Sequence, residues 1–250
     1  MKRRKIYSNP RKTAAFTLIE LLTVLAIIGL MASVVLGIRP NNPAGMEGAR
    51  AIVTGMLRGT QAKAAQSQNP DINPEKNPLY NIRARLLVLK DVANPEQHLR
   101  RMRIIIGGTR LPESTQPSDY FWYSVGSDTT LPSGIHMVSP DETNIEKLTR
   151  RSHITNRNGL PNTMRLNLEP SNVGQSDGTG DREWYFYEFN DDGTSNMNFA
   201  SFTFASGNWE PGSNRIVFPN EDNIAGVWIT PNGSIVPFLD VSEIDKQQPE

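Results

Sequence analysis

Ala14-Ala15-Phe16-Thr17-Leu18-Ile19-Glu20-Leu21-Leu22 opens a long apolar run and places a carboxylate, Glu20, inside it. From Leu21 to Ile38 no residue is charged, and residues 16–38 together make a segment of 23. As a helix at about 1.5 Å per residue, this covers roughly 34 Å, enough for a hydrocarbon core of about 30 Å. The run is apolar all round rather than on one stripe, which separates it from an amphipathic core helix. It is also too long for the apolar part of a cleaved secretory signal. Arg39-Pro40-Asn41-Asn42-Pro43 behind it makes a poor small-residue cleavage site. Residues 16–38 are therefore expected to be a membrane-spanning helix.

Charge sets its direction. The chain of 250 residues carries 26 basic and 26 acidic side chains. Six of the basic ones (Lys2, Arg3, Arg4, Lys5, Arg11 and Lys12) lie in residues 1–15, which hold no acid, leaving 20 basic against 26 acidic residues beyond. A basic head before an apolar segment predicts a cytoplasmic leader and an extracytoplasmic body. There is no cysteine, hence no disulfide or thiolate chemistry. An ionised group at a bilayer centre costs on the order of 2.5–3.5 kcal/mol, and such charges persist when paired. Near the end of the span Glu20 can also reach the interface by itself. The run contains no basic partner, but cutting the Ala15–Phe16 bond creates an ammonium four residues before Glu20. The most useful partner of that ammonium is Glu20 of a neighbouring copy, because that pairing rewards assembly.

These residues resemble the class III signal of type IV prepilins and the related pseudopilins: a short basic leader, a cut before Phe, then Phe16-Thr17-Leu18-Ile19-Glu20 and an apolar helix running on through Gly29. The resemblance implies a membrane-embedded prepilin peptidase that cuts between Ala15 and Phe16 and methylates the new Phe16 amine. It implies Glu20 as the assembly carboxylate, and other pilins or pseudopilins, an inner-membrane assembly platform and membrane lipid as partners. The family usually has Gly before the cut; Ala15 stands here, so slower processing is expected.

Residues 39–45 carry two prolines, each removing a backbone donor, and are expected to form a hinge between anchor and head. A helix is predicted from Met46 to Gln66, with Ala49, Ile52, Val53, Met56, Leu57, Thr60 and Ala64 on one stripe. Three glycines in it (Gly48, Gly55, Gly59) each cost about 1 kcal/mol relative to Ala, so it must lean on tertiary packing. Asn69 to Pro78 reads as a loop. Period-two patterns then predict strands around Ile82–Leu89, Arg101–Ile106, Tyr120–Val125, Ile135–Val138, Met164–Leu168, Trp184–Phe189, Phe199–Phe204 and Arg215–Phe218. Gly226 to Val236 reads as a hairpin, with Asn232-Gly233 suiting a type I′ turn and Pro237 marking a strand end or sheet edge. Ser171–Arg182 and Gly207–Ser213 read as loops. The expectation is an α+β, pilin-like fold. A hydrophobic N-terminal helix precedes an amphipathic helix packed on antiparallel sheets, with residues 46–250 as one head. The closing hairpin and element order resemble, more weakly, the H-type minor pseudopilins and their pilus relatives.

No nucleophile elbow, phosphate loop or dinucleotide fingerprint appears, so no enzyme, cofactor or metal is expected. His98, His136 and His153 lack the spacing of a helical zinc pair and read as surface or satisfied residues. Glu188-Phe189-Asn190-Asp191-Asp192-Gly193 offers calcium-type oxygens, but position 12 of such a loop is Phe199, so a plain turn is favoured. Arg83, Arg85, Arg101 and Arg103 alternate on two strands and would share one face, a solvated sheet face or an anion-binding patch. The acidic tail, Ser242 to Glu250, argues against nucleic acid as a partner. The aromatic runs Tyr120–Tyr123 and Trp184–Tyr187 read as core.

The expected function is a minor pseudopilin of a type II secretion pseudopilus, single-pass in the inner membrane with its head in the periplasm or otherwise outside the cytoplasm. The alternatives are a minor pilin of a type IV pilus, for adhesion, motility or DNA uptake, and a membrane-tethered binding module that does not polymerise.

Overall fold

A computed structural model describes residues 24, 43–66, 80–110, 112–114, 119–139, 162–166, 180–195, 200–220 and 223–238. The chain divides into two units, Met1–Arg39 and Pro40–Glu250, and every element with defined bounds belongs to the second. In the first, Val24, within the apolar run, is helical and exposed.

Helix α1 spans Pro43–Ala65. It starts three residues before the predicted Met46, inside the segment expected to be a hinge. The reason is local: proline is suited to a first helical turn, where its missing donor is not needed and its fixed φ is already helical. Met46, Ala49, Val53, Leu57, Thr60 and Ala64 are buried, at steps of three and four residues. Ile52 and Met56 pack partly against the same cluster. Thr60 sits on this apolar face because its hydroxyl donates back to the Met56 carbonyl at 2.7 Å.

Eleven strands follow among the described residues. β1 (Tyr80–Lys90), β2 (Arg101–Thr109), β3 (Tyr120–Thr130), β5 (Thr163–Leu166) and β6 (Arg182–Asn190) form a five-stranded sheet in the order β3-β2-β1-β6-β5. β4 (Ile135–Met137), β7 (Ala200–Ser206), β10 (Ile224–Ile229) and β11 (Ile235–Phe238) form a four-stranded sheet, β11-β10-β7-β4. β8 (Asn208–Glu210) and β9 (Arg215–Val217) make a small ribbon. Every described pairing is antiparallel. The fold is thus α+β, a helix packed on antiparallel sheets.

The main core lies between α1 and the two sheets. Ala84, Leu86 and Val88 of β1, Tyr185, Tyr187 and Phe189 of β6, and Phe202 and Phe204 of β7 share it with the helix stripe. A second cluster occupies the opposite face of the large sheet: Leu87, Leu89, Ile105, Tyr120, Trp122, Met164, Leu166 and Trp184. Of the aromatic runs, Tyr120, Trp122, Trp184, Tyr185 and Tyr187 are core, divided by strand alternation between two faces, whereas Phe121 and Tyr123 are half-buried and join neither cluster.

Two local expectations are corrected. Gly207–Ser213 is not all loop: Asn208–Glu210 pairs with Arg215–Val217, and Trp209 packs against the core. Gly207 hides this strand from composition. It is glycine because a Cβ there would lie 2.5 Å from Ile216 Cγ2. The β10–β11 turn is not type I′. Pro231 occupies its first central position, the Gly233 N–H donates to the Thr230 carbonyl at 2.8 Å, and Gly233 but not Asn232 has positive φ, 82°. Proline cannot take the positive φ that a primed turn requires there, so a type I-like turn followed by a left-handed glycine results. Pro237 does lie in the edge strand β11.

That turn is fastened to the helix. Gln61 Nε2 donates to the carbonyls of Gly193 at 3.0 Å and Gly233 at 2.9 Å. One amide thereby holds the turn after β6 and the β10–β11 turn against the last turns of α1.

Candidate functional site

The residues expected to carry processing and assembly, Ala15, Phe16 and Glu20, lie outside the described residues, as do His153, most of the expected 69–78 and 171–182 loops, and the acidic tail. Among the described residues no helix is long and apolar enough to cross a membrane. Chemistry-bearing side chains in the head gather on the second face of the five-stranded sheet.

The register brings the four arginines together. Arg85 stands opposite Ile105 and Leu87 opposite Arg103, so odd-numbered positions of β1 and β2 share that face. There they separate into two pairs, each gripping one carboxylate. Glu188, directly across from Arg85, accepts from Arg83 Nη1 at 2.7 Å and from Arg85 Nε at 2.7 Å. Asp128 accepts from Arg103 Nε at 2.7 Å and Arg103 Nη2 at 2.8 Å, and also from Arg101 Nε. Arg85 and Arg103 are buried, and Arg83 and Arg101 are half-buried. The face is therefore not solvated. Burial works to raise the Asp128 pKa, and the hydrogen bonds and charges of Arg103 and Arg101 more than reverse this, holding the carboxyl below its ordinary value.

Aromatic rings complete the arrangement. The Arg85 guanidinium lies 3.9 Å from the ring centres of both Trp122 and Phe186, a sandwich of flat groups. Arg83 lies 5.0 Å from Tyr120 and Arg103 5.1 Å from Trp184. Gly107 makes the sandwich possible. A Cβ there would stand 2.5 Å from Trp122 Cε3, so only glycine lets the indole lie across β2 toward Arg85.

Asp128 reaches the face through an irregularity. Met102 pairs with Thr129 but Ile104 with Val125, so a bulge of extra residues stands opposite Arg103. Gly126 has φ 74° in it, a conformation glycine adopts without strain. The bulge turns Asp128 toward the arginines, a re-aiming that bulges commonly perform. Sequence reasoning missed both carboxylates. Glu188 was legible, since it alternates with Trp184 and Phe186; Asp128 was not, because the bulge breaks the alternation.

What this face can do chemically follows from its pairing. A phosphate or carboxylate approaching Arg83, Arg85, Arg101 and Arg103 competes with Glu188 and Asp128 for the same donors. The calcium-type stretch is the end of β6 followed by a turn. Its Glu188 faces the arginines, while Asp192 Oδ1 accepts from the Thr194 N–H at 2.8 Å and hydroxyl at 2.6 Å. These bonds lower the Asp192 pKa. No group of three metal-ligating side chains occurs among the described residues. His98 and His136 are buried and hydrogen-bonded, satisfied rather than surface histidines.

Comparison with known proteins bears on the other end of the chain. Residues 10–36 match the family model for the prokaryotic N-terminal methylation motif. The chain thus carries a class III signal of the type IV prepilin-like kind, spanning Ala15, Phe16 and Glu20. No curated protein and no solved structure matches the chain.

Proposed function

We propose that the chain is a prepilin-like structural subunit, a minor pseudopilin of a type II secretion pseudopilus. The methylation motif over residues 10–36 carries this reading. In it, residues 16–38 insert in the inner membrane with residues 1–15 in the cytoplasm and the head outside. A prepilin peptidase removes residues 1–15 and methylates Phe16. The Phe16 ammonium pairs with Glu20 of a neighbouring copy or of another pseudopilin, and the apolar helices pack together on the assembly platform. A cation and an anion that meet only in the assembled state favour assembly, since either alone in lipid is costly. Residues beyond 39 present the α+β head. The engagement of Arg83, Arg85, Arg101 and Arg103 with carboxylates supports a structural head over a nucleic-acid-handling pilin.

The test is N-terminal peptide mass spectrometry on membrane-extracted protein, with and without active prepilin peptidase. The expected mature chain starts at methylated Phe16 only when the peptidase is present. An uncut chain retaining Met1–Ala15 under both conditions would overturn the reading in favour of a static anchor.

A further inference from the structure

Strand β4 is three residues long and lies at the edge of the four-stranded sheet. One side pairs with β7, from Ile135 opposite Ser206 to Met137 opposite Phe204. The other side meets the connection between β1 and β2, in the other sheet. The Met137 N–H donates to the Leu99 carbonyl at 2.8 Å, and the Leu131 N–H to the Arg100 carbonyl at 3.0 Å. Arg100 Nη2 returns a bond to the Leu131 carbonyl at 2.9 Å. This junction ties the two sheets together.

His136 sits in the middle of it, 5% exposed. Its Nδ1 is 3.2 Å from the His98 carbonyl oxygen. A carbonyl only accepts, so Nδ1 carries the hydrogen and Nε2 is the atom left to take a proton. His98 is fully buried, accepts the Asp91 N–H on its own Nδ1 at 3.0 Å, and has Trp209 edge-on at 5.8 Å. Among the described residues, the charged and titratable groups facing His136 are Arg100 and His98, both of which oppose a further positive charge. Glu96 acts on Arg100, the Asp91 carboxylate pairs with Arg182, and β7 offers Ala205 opposite His136. Burial lowers the His136 pKa most, the bond to the His98 carbonyl works to raise it, and the Arg100 charge and the His98 ring lower it further, leaving it at about 4. Leu99 adds a poised element. It has φ 56°, a conformation costly for leucine, and is held by bonds to Leu89 and Met137.

We propose that His136 is a proton-operated latch. Neutral, it fastens edge strand β4 to the β1–β2 connection; protonated, it leaves its buried place for water, and the two separate while the five-stranded sheet stays folded. The released state takes up the proton at an ordinary histidine pKa and the latched state only near 4, so opening grows by about thirtyfold between pH 7.5 and pH 5.

Native-state hydrogen exchange on the full chain in detergent micelles, corrected for intrinsic pH dependence, reads this directly. The Met137 and Leu131 amides should open about thirtyfold more at pH 5, with those of Leu86 and Val88 unchanged. His136→Asn keeps a donor for the His98 carbonyl but does not titrate, and should abolish the difference. Equal acceleration at Leu86 and Val88, or the same pH dependence in His136→Asn, overturns the latch. So does a His136 imidazole that titrates near 6.5 by NMR in the native wild-type chain, a measurement that stands even if the variant fails to fold.

Discussion

Replacing Glu188 with Gln tests whether the arginine face holds the head together. The side chain of Glu188 is 8% exposed, as is that of Arg85, and that of Arg83 is 28% exposed. A hydrogen bond to a charged group contributes about 1.5–3 kcal/mol, with the upper part of that range fitting the buried Arg85 contact and the lower part the wetter Arg83 contact. The amide introduced by Glu188→Gln would keep one acceptor but leave two guanidiniums without the carboxylate, and breaking a buried pair from one side costs about 3–5 kcal/mol. We expect a loss of about 3 kcal/mol, which lowers Tm by roughly 6–12 °C for a domain of this size. Calorimetry of the detergent-solubilised chain measures it. Arg85→Gln alone should also be costly, because it removes the same bond and both ring stacks. The double variant should lose less than the sum of the two by about 2 kcal/mol, the coupling between them. A Tm drop under about 2 °C, or simple additivity, would refute the claim that this pair is a buried unit.

Gly107→Ala should cost about 1–3 kcal/mol by overpacking and shift tryptophan emission, because the indole of Trp122 must lift off the sheet; denaturant titration with fluorescence reads both. Gly233→Ala should lose more than about 1 kcal/mol, since the position has φ 82° and a Cβ would meet the Gly193 carbonyl oxygen at 2.2 Å; thermal melting checks it. The Asp128 pKa is lowered in the folded state, so its contribution is fully present above the unfolded value of 3.8 and is lost as pH falls below it. Asp128→Asn should therefore flatten the stability profile below about pH 4 and leave the limb between 4 and 6.5, where buried His136 titrates, in place. Glu20→Val should still be cut before Phe16 yet fail to enter filaments; co-purification with pseudopilins after crosslinking would distinguish the two steps.

The class III signal was the most legible part of the sequence. A class III signal is read by linear order, basic leader, cut, carboxylate and apolar run, and needs no folded context. The helix stripe from Ala49 to Ala64 was equally plain, because a 3.6-residue period is a local property of the chain. Most strands were legible as period-two runs, and their ends shifted by a few residues where pairing extended them, as in β3 from the expected Val125 to Thr130. β8 was hidden, because its Asn, Trp and Glu are strand residues only when β9 lies beside them.

What tertiary structure alone decided is which charges meet. Four arginines on alternate positions look like an open cationic face until β6 brings Glu188 across from Arg85 and the β3 bulge delivers Asp128 to Arg103. The two carboxylates are separated from their partners by 103 and 25 residues in sequence. Their contact depends on strand order and on one irregularity in register, and neither is written in local periodicity. His136 is the same case: its neighbour across space, His98, is 38 residues away, and only the packing of β4 against the β1–β2 connection makes it buried. A sequence fixes its local periods and linear signals by itself, while the sign and burial of a site belong to residues that folding brings together.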